Sequence, residues 1–490
     1  MYTTEKITPD SFVPQRFESD GTITLHGTEI PYHTVSEDNV FYDQAGKAIA
    51  SIFSYSYFRS DAENPAERPV LFCYNGGPGS SSMYVHAGFL APVRLLYEQT
   101  DRPTALPPYK MIDNPDWLLD VADIVLVDPV ATGYGLLIDE SRAGDFLGIE
   151  QDAEALLVFI EAWLNRYRRW NSPKYLIGES YGCTRSAVAA GIACIGSKTR
   201  SYSIGFDGIV MIGNTVTTGK YFGVDIHTEP AVLYFPTWAA INWYHNHPTE
   251  QPLEEFVAEA QAFADHDYLL ALYAGEDLDA EKKEEILQKA MYYTGVSRQY
   301  LLDRNLVIDD ETFRIEVIRE KGATVARYDG RITRPRYVPE ALERSRTGLE
   351  DDASDDRYGA YFYAAVTGTI LPKLNVKLDR PYVAMYNCWE GESKAHQWDR
   401  KETLGTTGEQ LRNAMYRTPG MRTFFANGWY DDCTYIGIVH YTLRHAGLPR
   451  DRVCVKGYPS GHMIYIGEDN VKTLCDDIRS FIAGGMPSNG

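Results

Sequence analysis

The stretch KYLIGESYGCTRSAVAAGIA (174–193) decides the architecture of this chain. Its first six residues form a short apolar run with strand chemistry, and from Tyr181 onward small residues recur at helical spacing. Between them GESYG (178–182) fits the pattern G-x-S-x-G, a tight strand-to-helix turn that lifts a serine hydroxyl above the end of a strand. The flanking glycines keep strand and helix from clashing. In a chain with 40 glycines the five-residue pattern arises by chance, so its context carries the weight. Here an apolar strand precedes it and a small-residue helix follows, as the motif requires.

Working outward, PVLFCY (69–74) is a second apolar run and ends at the glycine-rich NGGPGSSS (75–82). ADIVLVDPV (122–130) is a third. EQDAEALLVFIEAWLNRYRRW (150–170) has apolar residues at helical spacing, acids early and bases late, which suits the helix dipole. GTITLHG (21–27) and AIASIFSYSYF (48–58) add strands near the start. Strands alternating with helices predict a mostly parallel central sheet with helices on both faces, in the α/β-hydrolase fold.

The style changes after residue 215. QPLEEFVAEAQAFADHDYLLALYAG (251–275) and DAEKKEEILQKAMYYTG (279–295) read as amphipathic helices with charged outer faces. The expected division is therefore 1–215 for the first part of the core, 216–350 for a mainly helical cap, and 351–490 for the rest of the core. In that last part RPYVAMYNC (380–388), MRTFFANG (421–428) and RVCVKGYP (452–459) read as strands, and a helix is expected near 468–483. LEDDASDD (349–356) reads as a solvated acidic loop.

Bulk properties narrow the function. The 490 residues are 44% hydrophobic and 23% charged, enough for a large core and unlike a disordered chain. With 68 acidic residues against 47 basic ones the formal charge is −21, which repels phosphate backbones and anionic membranes. Nucleic acid and membrane are accordingly not expected as partners. The N-terminus lacks a basic-then-apolar leader, and no uncharged apolar run is long enough to span a bilayer. Seven scattered cysteines form no CxxC pair or Cys/His cluster. The expectation is a reduced, cytoplasmic enzyme that needs no cofactor and no metal. His245 and His247 form an H-x-H pair without an evident third ligand and read as imidazoles at a helix end.

A serine is a weak nucleophile until a base takes its proton, and in this fold the acid and the histidine follow it in chain order on later loops. His462 in SGHM, just after RVCVKGYP, is the natural base for Ser180; His396 lies in a polar stretch, and His440 and His445 fall in a helical one. After FFANG both Asp431 and Asp432 could supply the acid, and either could instead cap the next helix. A tetrahedral intermediate also needs two backbone donors. One is the amide of Tyr181, and NGGPG (75–79) offers the loop for the other.

Four blocks of this sequence resemble the serine carboxypeptidase family (peptidase family S10): NGGPGSSS (75–82), NPDWLLDVADIVLVDPVATGYG (114–135), GESYG (178–182) and GHM (461–463). The resemblance implies a serine-type carboxypeptidase acting on peptides through an acyl-enzyme on Ser180, with His462 as base. It implies Asp431 as the acid, three residues after Gly428, and the amides of Gly77 and Tyr181 as the oxyanion hole. It also implies Asn75 and Glu179 as binders of the peptide's terminal carboxylate, and hence best activity in acid, since paired carboxyls must hold a proton.

Three positions depart from the family pattern. Ser80 stands where the family has a disulfide-bonded cysteine, and Cys183 replaces a second glycine after the serine block. Phe89 occupies the place of a second carboxylate-binding glutamate. GFLAPVRL (88–95) and FPTWAAINWYHNH (235–247) are similar to the bacterial branch of the family. The expected partner is a peptide substrate, with a homodimer left open. Two rival readings are kept: an acyltransferase or esterase using the same triad, and a non-catalytic binding protein on the same fold.

Overall fold

A computed structural model describes residues 7–97, 106–197, 200–218, 229–335, 352–388, 397–401 and 403–488. His396 and the first three residues of LEDDASDD lie outside that set. The central sheet is built from nine main strands, β1 (Arg16–Leu25), β2 (Thr28–Tyr42), β3 (Ala48–Arg59), β4 (Val70–Tyr74), β5 (Asp123–Asp128), β6 (Lys174–Glu179), β7 (Gly208–Ile212), β8 (Arg422–Gly428) and β9 (Val453–Tyr458), with Leu136–Leu137 pairing on β3. Their spatial order is β1-β2-β3-β5-β4-β6-β7-β8-β9. The first three strands and the β3–β5 pair are antiparallel. From β5 onward every pair is parallel.

The parallel strands carry unbroken apolar runs because both of their faces are covered. All five residues of β4 and all six of β5 and β6 are buried. Leu71 and Cys73 of β4 join one apolar cluster, while Val70, Phe72 and Tyr74 join the other, so successive side chains feed opposite faces of the sheet. Helices α1 (Ile149–Tyr167) and α2 (Tyr181–Ile195) belong to the second cluster.

Register places the functional loops together. Tyr74 at the end of β4 pairs with Gly178 of β6, so NGGPG and GESYG leave the sheet side by side. Glu179 pairs with Ile212 of β7, and Gly428 of β8 with Tyr458 of β9. In an open parallel sheet ligands bind beyond the carboxyl ends of the strands, and these loops all emerge there.

Residues 229–316 are mainly helical, with α3 (Glu229–Asn246), α4 (Leu253–Phe263), α5 (Ala280–Thr294) and shorter helices over Arg298–Asp303 and Asp310–Glu316. Trp238, Phe256, Tyr268, Leu301 and Phe313 give this region an apolar cluster of its own, onto which Trp429, Tyr430 and Ile436 of the core side pack. His245 sits within α3 and bonds the Gly330 carbonyl through Nε2 at 2.6 Å.

Two local expectations are corrected. The described part of LEDDASDD is no loop: Asp352 caps helix α6 (Ala353–Ala365) by accepting from the Ser354 amide at 2.9 Å. Acids in a first turn suit the helix dipole, and that outweighs the polar composition that suggested a loop. RPYVAMYNC forms isolated bridges, Gly133 to Val383 and Ser80 to Met385, and no strand. Its β-forming residues serve to strap the glycine-rich loop. The rest of the core adds α7 (Thr407–Arg417), α8 (Ile436–His445) and α9 (Glu468–Ile482). Among the described residues no helix is long and apolar enough to cross a membrane.

Candidate active site

Ser180 stands between β6 and α2 with φ 58° and ψ −127°, a backbone that an L-residue adopts only under constraint. Such a conformation costs about 1–3 kcal/mol and persists only where its surroundings over-determine it. Here the Ser180 amide donates to Ile212 O at 2.8 Å, and its carbonyl accepts from Thr215 Oγ1 at 2.9 Å. A Cβ on Gly178 would lie 2.3 Å from Gly182 O, so the turn closes only with hydrogen at that position.

His462 is fixed from three sides. Nδ1 lies 2.9 Å from Asp431 Oδ2, and the His462 amide donates to Tyr328 O at 2.6 Å. The third constraint is Gly213, where a Cβ would sit 2.9 Å from both Cε1 and Nδ1 of the imidazole. Gly213 directly follows Ile212, the residue that anchors the Ser180 amide. Ser180 and His462 therefore pack against the same loop, 212–215. The hydrogen bond to Asp431 assigns the ring proton to Nδ1 and leaves Nε2 as the basic nitrogen. Burial works against the charged imidazole. The charge and hydrogen bond of Asp431, joined by Glu179, more than offset it, and His462 titrates above its ordinary range.

Asp431 and Asp432 are both buried, and their surroundings separate them. Asp431 Oδ1 accepts from the amides of Cys433 and Thr434, each at 2.9 Å. Its Oδ2 takes the Thr434 hydroxyl as well as His462. Asp432 turns the other way: Oδ1 accepts from Trp238 Nε1 at 3.0 Å and Oδ2 from Arg314 Nη1 at 3.2 Å, both in the helical region. Burial pushes the Asp432 carboxyl up to about 7, against the pull of Arg314.

The loop after β4 lies directly over the serine turn. A Cβ on Gly76 would sit 2.4 Å from the Tyr181 nitrogen, a closeness only glycine allows, and Gly77 has φ +100°. This brings the backbone of Gly76–Gly77 beside the amide of Tyr181 at the start of α2, where helical N–H groups lack intrahelical partners. Asn75 Nδ2 donates to Glu179 Oε1 at 2.7 Å, and Asn75 Oδ1 accepts from the Val85 amide at 3.0 Å. Burial pushes the Glu179 carboxyl up to about 7; His462 and the neighbouring donors pull it down, and Asp431 pushes it up.

Of the three departures, Ser80 leaves the loop without a disulfide. Backbone bonds from Ser81 to Ala384 O, 2.9 Å, and from Tyr386 to Gly79 O, 2.7 Å, tie it down instead. Cys183 is buried with its thiol toward the carbonyls of Gly178, 3.2 Å, and Ile212, 3.4 Å. Phe89 is buried and packs on Tyr465 with ring centroids 5.1 Å apart.

Reading the sequence alone passes over several supports. Arg185 on α2 is buried, bonds Asp152 Oδ2 at 2.6 Å and reaches the Asn75 carbonyl at 2.7 Å, joining two helices to the glycine-rich loop. An arginine amid small residues in CTRSAVAAGIA is the signal that could have flagged it. Asp128 at the end of β5 accepts from the Ser82 amide at 2.8 Å and the Tyr55 hydroxyl at 3.1 Å; burial pushes it up to about 6. The aspartate in ADIVLVDPV, at a strand's carboxyl end, was its trace. Thr434 and Tyr328 left none.

A family model described as "Serine carboxypeptidase" matches residues 41–263. Serine carboxypeptidase-like 20 of Arabidopsis thaliana is 29% identical over 174 residues, 34% of this chain and 33% of that protein. Serine carboxypeptidase 24 of the same plant is 26% identical over 196 residues, 38% of each chain. The matched stretch thus spans about a third of the length of these curated relatives. Among solved structures, Kex1(Δ)p, a prohormone-processing carboxypeptidase from Saccharomyces cerevisiae, superposes with a TM-score of 0.53 at 14% identity, covering 98% of this chain and 95% of that one. A likeness at that identity speaks to the fold.

Proposed function

We propose that this chain, which a serine carboxypeptidase family model matches over residues 41–263, hydrolyses C-terminal peptide bonds through an acyl-enzyme on Ser180. The observation that carries the reading is His462 held by Asp431 at 2.9 Å, against the same loop that anchors Ser180 in its constrained turn. In the proposed cycle His462 Nε2 takes the Ser180 proton as Oγ attacks the scissile carbonyl. Asp431 stabilises the resulting imidazolium, and the amides of Gly77 and Tyr181 receive the oxyanion. His462 then protonates the leaving amine, and water repeats the sequence to free the acid.

Asn75 and Glu179 give the exopeptidase character. A carboxyl pushed up to about 7 holds its proton in acid and can donate to a terminal carboxylate; once ionised it repels one. The deciding experiment compares a blocked peptide with a free C-terminus against its amide, with Ser180→Ala as control. Preference for the free acid supports the reading. Equal turnover of both ends the carboxypeptidase claim while sparing the hydrolase.

Phe89 favours a second reading, an esterase or acyltransferase on the same triad, because the terminal-carboxylate site lacks the family's second glutamate. Faster turnover of esters without a carboxylate would select it.

A further inference from the structure

Phe89, at the sequence position of that second glutamate, packs beside a second aromatic ring. Tyr465, three residues after His462, packs against the backbone at Gly88, where a Cβ would meet Tyr465 Cε2 at 2.4 Å. Its ring also lies against Phe89, with centroids 5.1 Å apart, and against Phe362 of α6 at 6.4 Å. These contacts fix the ring in place. Its hydroxyl reaches Glu179 as a hydrogen-bond donor, a contact that pulls the carboxyl down and pushes the phenol up. Tyr465 OH and Glu179 Oε2 are both buried, and no third described residue hydrogen-bonds either of them, so the contact each can make is with the other. Native interiors rarely leave two such oxygens unpaired side by side.

Of the other groups around Glu179, Asn75, His462, Asp431 and Cys183 are engaged elsewhere or have no donor to offer Oε2. Asn75 uses Nδ2 on Oε1, His462 Nδ1 faces Asp431, and Asp431 has only acceptors to offer. The thiol of Cys183, which also feels Glu179, points at main-chain carbonyls. Tyr84 feels Glu179 and Asp355, and Tyr465 in turn feels Tyr84 and Tyr97.

We propose that Tyr465 is a positioning residue of the terminal-carboxylate site, its phenol standing in for the missing second glutamate by hydrogen-bonding Glu179 Oε2. The proposal rests on the reading that Asn75 and Glu179 receive the substrate's carboxylate. Two glutamates around that carboxylate would each have to keep a proton, and affinity would fall in two steps as pH rises. A phenol titrates near 10 in water, and burial raises that further, so Tyr465 keeps its proton throughout. The site then depends on one proton, that of Glu179. A donor to Glu179 also favours its ionised form, so removing the hydroxyl raises the pKa of Glu179.

The test is KM and kcat from about pH 5 to about pH 9 for a free-acid peptide and its matching ester, in wild type and Tyr465→Phe. For the wild type with the acid, log KM should rise with a limiting slope of about one per pH unit. In Tyr465→Phe, which keeps the ring packing, the midpoint of that rise should move up by about one pH unit, while the ester profile keeps its shape. An unmoved midpoint, equal losses on acid and ester, or a wild-type slope near two would overturn the role of Tyr465. The slope reads out on the unmodified protein, so the proposal stays testable if the variant misfolds. A wild type that treats acid and ester alike, with no rise in KM, overturns the carboxylate site itself and this proposal with it.

Discussion

Asp431 and Asp432 are neighbours in the chain and serve different regions of the molecule. Asp431 faces the carboxyl ends of the sheet, where two amides, a hydroxyl and an imidazole meet its oxygens. Asp432 faces the helical region and bonds Trp238 and Arg314. One carboxylate holds an imidazole, and the other joins the two regions of the chain. Burial alone does not make a carboxylate catalytic: both are fully buried, and what differs is the partner each finds.

Mutagenesis can break this comparison. The largest effect is expected at Ser180, whose replacement by alanine should lower kcat by about 10⁴–10⁶-fold without changing the melting temperature, read by burst kinetics and calorimetry. Asp431→Asn should lower kcat by roughly 10³–10⁴, because an amide in place of the carboxylate favours the wrong imidazole tautomer. Loss of activity in Asp432→Asn to the same degree would erase the distinction between the two aspartates.

Smaller effects sharpen it. Gly213→Ala, at φ +59°, would push a methyl group against the His462 ring and should lower kcat by about 10²-fold, since an ångström of misplacement costs that much. Asp432→Ala should leave the chemistry near wild type and instead lower stability by about 2–4 kcal/mol, measured by denaturant unfolding, because Arg314 and Trp238 lose a buried partner. For the free-acid substrate relative to its matching ester, a ratio that cancels the titration of His462, kcat/KM should fall as pH rises through about 7, the value to which burial lifts Glu179. The sign follows from the charge: the protonated carboxyl below that pH donates to a substrate carboxylate, and the anion above it repels one. An acid-to-ester ratio still level or climbing at pH 8 or so would contradict this.

The parallel core was legible because its strands obey a local rule. VLFCY, DIVLVD and KYLIGE are apolar throughout, since both faces of each are covered, and the glycines of NGGPG and GESYG mark where the chain turns tightly. RPYVAMYNC looked equally strand-like and became a strap, because pairing depends on a neighbour that composition does not record. The acidic run before α6 was misread for a related reason: a capping aspartate and a solvated one look alike until the helix after them is known.

What the sequence by itself determined is the set of reactive groups and their order: a serine in a glycine-flanked turn, then an aspartate, then a histidine, each after an apolar run. These were readable because turn geometry and strand burial are set by residues close in the chain. Only the tertiary structure decided which aspartate faces the imidazole, that Arg185 braces the glycine-rich loop, and that Tyr465 packs on Phe89 beside Glu179. Those outcomes depend on which side chains distant segments bring within about 3 Å of one another, and hydrogen-bond energy falls away over that range too steeply for spacing along the chain to encode it.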